Sequence, residues 1–301
     1  MRHNFFSKNK SFSSVYLEGS LPANINYYAE YAQQMNGQDY LAVGDNNQSF
    51  GFYASLSTFI SLVGLSAEYK KYQNFFIGSG INEPPSLVKE HGYRLLNRAT
   101  HVTNIFNEEG YQLEAYVNVF TDDQITLNHS RAVNQLGKKF KFYEYFAEYY
   151  LTANDLNFKF FADYSVDELE LDDLRLTGGF DANYVISYPY SINLAIEHQA
   201  IDRDKLNQHG LNNVFYQVGL ASSTKYSVAF LYEQTSDPSF LGQGQKKRNY
   251  YAGSFSYRPG PAHSVSVFAG ERRGGPACTS GICYEVLDFK GVEVRYKLNF
   301  N

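Results

Sequence analysis

The chain has 301 residues, a formal net charge of −5 and a sequence pI near 5.8, so it lacks the basic footprint that phosphate neutralisation needs, and nucleic acid is set aside as a partner. A hydrophobic share of 44% with a mean hydropathy of −0.41 fits neither a helical membrane protein nor a disordered chain. The 27 Tyr, 24 Phe and 23 Gly, with no Trp, are instead the vocabulary of strands and turns.

The first ten residues, MRHNFFSKNK, lack the apolar core and small-residue cleavage site of a secretory signal. Either the chain is intracellular or this is not its natural start. From Asn46 to Ala67 no charge occurs over about the length a membrane helix needs. Six Ser and Thr residues and two Gly make that stretch too polar, and Phe50, Phe52, Ala54 and Leu56 alternate with period two, which favours a strand.

Further along, Leu113, Ala115, Val117 and Val119 oppose Glu114 and Asn118, and Tyr143, Tyr145, Ala147, Tyr149 and Leu151 oppose Glu144 and Glu148. Leu156, Phe158, Phe160, Ala162 and Tyr164 oppose Asn157, Lys159 and Asp163, and Leu174, Leu176, Phe180, Ala182 and Tyr184 oppose Arg175, Thr177, Asp181 and Asn183. Tyr226, Val228, Phe230 and Tyr232 oppose Lys225, Ser227 and Glu233. The last segment separates cleanly, with Val292, Val294, Tyr296, Leu298 and Phe300 against Glu293, Arg295, Lys297 and Asn299. Such alternation places each strand between two different solvents. No segment holds a comparable 3.6-residue period over three turns.

Strands of about ten residues without intervening helices suit a soluble sandwich or a transmembrane barrel. Tight links are expected at 21–24, near Ser61, and at 121–123, 152–155, 187–189, 222–224 and 259–261. Longer polar links are expected at 35–48, 75–109, 132–138, 165–173, 200–211, 235–247 and 272–284. Short and long alternate, the rhythm of a barrel with short periplasmic turns and longer outer loops, whereas a Greek-key sandwich has no reason to keep it. Tyr27, Tyr31, Tyr149, Tyr150, Tyr184, Tyr188, Tyr250, Tyr251 and Tyr257, at strand ends, are expected to form the interfacial girdle. If the chain ends on the periplasmic side, counting back through about fifteen strands starts segment 12–20 on the outer side. A complete bacterial barrel has an even count, so the sequence reads as the carboxy-terminal part of a larger barrel or a gene fragment.

Two blocks carry a resemblance. EYKKY at 68–72, INEPP at 81–85 and HGYRLLNR at 91–98, then FAGERRGG at 268–275, Cys278, Gly281, Cys283, FKGVE at 289–293 and Phe300, resemble an uncharacterised outer-membrane barrel family of the Bacteroidota, known only as a domain of unknown function. The similarity runs over most of the chain from about Gly51. It implies an outer-membrane barrel with a longer amino-terminal portion, and brings no activity and no catalytic residues.

Candidate chemistry is sparse. Cys278 and Cys283 are spaced for a loop disulfide rather than a zinc pair, with two reduced thiols as the other reading. Asn128, His129 and Ser130 loosely resemble an outer-membrane phospholipase, but neighbouring strand residues point to opposite faces and cannot share a proton. Asp172 and Asp173 suggest an outer-membrane protease without the Asp-His pair to complete it, and a solvated loop is the expectation. The 75–109 loop concentrates His91, Arg94, Arg98 and His101 beside Pro84 and Pro85. Either it contacts a ligand or partner, or its arginines pair with wall carboxylates and pin it, the favoured reading. Glu144, Glu148, Lys159, Asp163, Arg175 and Asp181 are the expected lumen-facing charges, and Lys246, Lys247 and Arg248 either meet lipopolysaccharide phosphates or form a plain loop tip.

The sequence is therefore read as a single all-β domain over 1–301, an antiparallel transmembrane β-barrel with about 14–16 strands visible, in the bacterial outer membrane. Expected partners are outer-membrane lipids and lipopolysaccharide, with another envelope protein as a further candidate, and no cofactor and no metal. A porin-like channel or the scaffold of a surface complex, without catalysis, is the functional expectation. An outer-membrane lipase or protease, or a soluble binding sandwich, are the alternatives.

Overall fold

The computed structural model describes residues 11–34, 49–75, 89–101, 107–120, 122–136, 138–222, 225–279 and 282–299. The chain runs through β1 (Phe12–Leu21), β2 (Ile25–Gln34), β3 (Phe50–Ile60), β4 (Val63–Gln73), a one-turn helix α1 (Arg94–Asn97), β5 (Glu108–Asn118), β6 (Gln124–Leu136), β7 (Lys138–Ala153) and β8 (Leu156–Asp167). It continues with β9 (Asp172–Ser187), β10 (Tyr190–Arg203), β11 (Gln208–Ser222), β12 (Tyr226–Thr235), β13 (Arg248–Gly260), β14 (His263–Arg272), β15 (Gly275–Thr279), β16 (Ile282–Val286) and β17 (Phe289–Leu298). Fifteen of these strands form one antiparallel sheet in the order β1 to β14 followed by β17, while β15 and β16 pair as a separate hairpin. The two end strands, β1 and β17, are not neighbours, so the sheet is open. The uncharged stretch around residues 50–67 is the β3–β4 hairpin, and no helix among the described residues is long and apolar enough to cross a membrane.

Strands adjacent in this sheet follow one another along the chain, with the β15–β16 hairpin inserted between β14 and β17, so alternate links lie on the same edge of the sheet. One edge carries the tight turns. The other carries the β4–β5 and β12–β13 links and the β15–β16 hairpin, which occupies much of the expected 272–284 loop. Three other expected long links are corrected: 132–138, 165–173 and 200–211 are largely strand, because the strands on either side, β6 to β11, run for 12 to 16 residues. Their polar composition therefore belongs to paired strand ends rather than to loop structure.

The two faces of the sheet are inverted relative to a water-soluble protein. Outward side chains are apolar and exposed, as at Val292 (69%), Val294 (65%), Leu220 (52%) and Phe230 (52%). Inward ones are polar and buried, with Glu144, Asp163, Arg175, Glu197 and Glu233 each only 3% exposed. Two tyrosines expected in the girdle belong inside. Tyr150 shares the inward parity of Glu144 and Glu148 and donates to Asn157, and Tyr250 is only 2% exposed beneath the Arg248 guanidinium. The β15–β16 register sets Cys278 opposite Cys283, but their side chains lie outside those described.

Candidate functional site

Residues 89–101 run along the inward face of the wall, and seven carboxylates from five strands hold them. Glu114 of β5 takes Lys89. Glu144 of β7 lies 3.0 Å from Nε2 of His91, and Glu148, two same-face positions along, accepts from the Tyr93 hydroxyl. On β10, Glu197 accepts the first backbone N–H groups of α1, from Arg94 at 2.8 Å and Leu95 at 2.7 Å. Those donors lack intrahelical partners, so the wall supplies what the short helix cannot. Glu233 of β12 collects three arginines: Arg94 at 3.2 Å, Arg98, and Arg273 at 2.8 Å. Arg98 also donates to the Arg273 carbonyl at 2.6 Å. The last two, Glu108 of β5 and Asp167 of β8, act at the segment's far end.

Apolar contacts interleave with these charges. The Tyr93 ring stacks on Phe161 at 3.7 Å between centroids, Leu96 packs with Phe146 and Phe161, and Leu95 packs with Ala195 and Phe215. The close stack depends on Gly179, where a Cβ would stand 2.2 Å from the Ile196 carbonyl and 3.0 Å from the Phe161 ring. The main buried apolar clusters thus sit between segment and wall.

At the far end, His101 joins two carboxylates. Its Nδ1 lies 2.9 Å from Asp167 and its Nε2 3.5 Å from Glu108, which in turn holds Lys70 at 2.7 Å, and the imidazole stacks on Phe142. Burial alone would lower the His101 pKa, but hydrogen bonds and charge from Asp167 and Glu108 override it and raise it to about 9. The segment therefore carries an imidazolium at neutral pH.

The remaining expected residues lie on the same inward face. Lys159 and Asp181 stand opposite each other in the β8–β9 register, Lys159 reaching over the Tyr150 ring and Asp181 accepting from Asn193. Arg175 is buried and bonds Ser165 at 2.9 Å and Asp172 at 3.2 Å. The solvated-loop expectation for Asp172 is corrected: it opens β9, is 3% exposed, and binds Arg203 at 2.7 Å, which continues to Asp237 at 2.8 Å. That network lines a cavity of about 210 Å3 above α1. His129 and Ser130 face opposite sides, His129 stacking outward on Tyr145 and Ser130 bonding Asn128 inward. Lys246 and Lys247 are exposed. Pro84 and Pro85 lie outside the described residues.

Sequence reasoning did not single out Phe142, Phe146, Phe161, Phe215, Glu108 or Asp167 as site residues. The first two share the parity of Glu144 and Glu148, and an aromatic on an otherwise polar face is a readable sign that something covers it. A groove of about 980 Å3 lies elsewhere. It runs along the outward face over Leu56, Leu65, Leu113, Leu127, Tyr145 and Tyr164.

No family model matches the chain, and no curated protein matches it. Among solved structures it is similar to the ferric-catecholate import receptor Fiu of E. coli K12 in an open form, at 10% identity and a TM-score of 0.41, over 97% of this chain and 50% of the receptor. The chain thus spans about half the length of that protein, and the likeness says nothing of activity.

Proposed function

We propose that the chain is the wall of an outer-membrane barrel whose lumen is occluded by its own residues 89–101, and that it acts as a channel in which this segment is the constriction. The observation that carries the reading is the anchoring of one thirteen-residue stretch to inward carboxylates from β5 round to β12. A segment tied to strands so far apart in the meander spans the inward face of the sheet from β5 to β12. Membrane embedding is supported by the exposed apolar face, where burial in acyl chains would recover the hydrophobic free energy that water denies it. Acyl chains would also fill the 980 Å3 outward groove. Lys246 and Lys247 are the cations offered to lipopolysaccharide phosphates.

The test is deletion of residues 81–100 in the full-length protein, with single-channel conductance read in planar bilayers. The expected result is higher conductance, because both the steric block and the fixed charge of Arg94 and Arg98 are gone. Unchanged conductance together with loss of a co-purifying envelope protein would support a scaffold instead. Correctly inserted protein that conducts in neither form would overturn the channel reading.

A further inference from the structure

We propose that His91, Glu144 and Asp163 bind one divalent transition-metal ion of the Zn2+ or Mn2+ class, which ties the lumen segment to two wall strands. The three residues come from separate elements: His91 from the segment, Glu144 from β7 and Asp163 from β8. Each is 3% exposed. Each contributes one potential ligand atom, and these atoms lie within 4.8 Å of one another. Three buried atoms here have no hydrogen-bond partner: His91 Nδ1, Glu144 Oε2 and Asp163 Oδ2.

Orphaned acceptors on two adjacent buried carboxylates are costly unless something positive lies between them. The nearby cation, Arg175, is directed to Ser165 and Asp172. Among the described residues the donor that reaches Asp163 is the Ser165 hydroxyl, a long contact at 3.4 Å on its other oxygen, while its carboxyl group also meets that of Glu144. A divalent ion answers each point. It supplies two positive charges to two carboxylates and one neutral imidazole, leaving the group electrically balanced. Ligands about 2.0–2.2 Å from a metal stand about 3–4.4 Å apart in tetrahedral or octahedral geometry, so small side-chain movements suffice to close the site. One imidazole with two carboxylates suits a borderline ion better than Ca2+, which prefers oxygen throughout. Water would complete the coordination, as at zinc sites with three protein ligands. The Phe146 ring, 4.6 Å from the imidazole, covers one side.

The experiment strips the full-length protein in detergent with a chelator and titrates it calorimetrically with Zn2+ alone, then records the visible spectrum with Co2+. The expected result is uptake of one equivalent, weakened at least tenfold in His91→Gln and in Asp163→Asn, with the Co2+ bands lost in both. Far-UV circular dichroism of each variant checks that the wall has formed. His209→Gln, at an exposed histidine beside Asp204, leaves the titration unchanged. Stripped protein that takes up no equivalent overturns the proposal, as does uptake indifferent to His91→Gln or abolished by His209→Gln. Because the measurement is made in detergent, it stands apart from conductance.

Discussion

Glu233→Gln tests the anchoring of the lumen segment most directly. The wild-type carboxylate is 3% exposed and meets three guanidinium groups, two of them well buried, with side-chain exposures of 11% at Arg98 and 5% at Arg273 against 30% at Arg94. At about 4 Å and an effective dielectric of about 20, each pair contributes about 4 kcal/mol of attraction before desolvation. Gln keeps the shape but loses the charge, and its amide N–H2 faces donors. Removing one partner of a buried pair costs about 3–5 kcal/mol net, and the low end applies here because Arg94 can turn to lumen water. The expected outcome is a loss of about 3 kcal/mol in urea unfolding from liposomes, with a coupling of about 1–3 kcal/mol to Arg98→Gln in a double-mutant cycle. In planar bilayers the variant should show brief openings that the wild type lacks. A loss below about 1 kcal/mol, with neither coupling nor openings, would refute the view that Glu233 pins the segment.

Two further outcomes follow from the same geometry. His101 has its pKa raised from 6.5 to about 9, so its stabilising contribution is complete below pH 6.5 and is lost as the pH rises through 9. The urea midpoint should fall across that window, and His101→Gln should flatten the fall. At the far end of the wall, Val294→Arg should cost about 2–4 kcal/mol of folding into liposomes, because Val294 is central in β17 and 65% exposed on the apolar face. Glu293→Ala should change little there, since its half-buried carboxylate pairs with Arg272 and with the exposed Arg295, both of which can turn to water. Equal effects would contradict the two-solvent assignment.

The sequence by itself determined the strands and their faces. Alternation in Val292 to Asn299 or Leu156 to Tyr164 is enough, because side chains on a strand repeat every two residues and each face must match its solvent. Tight turns were legible for a similar reason, at positions such as 21–24 and 259–261, where Pro and Gly restrict or free the backbone. The outer links were less legible. Long polar strand ends at 132–138 and 165–173 share the composition of loops, and only the hydrogen-bonded register tells them apart. Tertiary structure alone decided what the inward charges do. Glu233 reads as one more lumen carboxylate until the fold carries Arg94, Arg98 and Arg273, up to 139 residues away in sequence, onto it. His91, Glu144 and Asp163 converge in the same manner. No local pattern encodes such meetings, because they depend on where a connecting loop lies against a curved wall, which is set by the sum of many long-range contacts rather than by any residue's own preference.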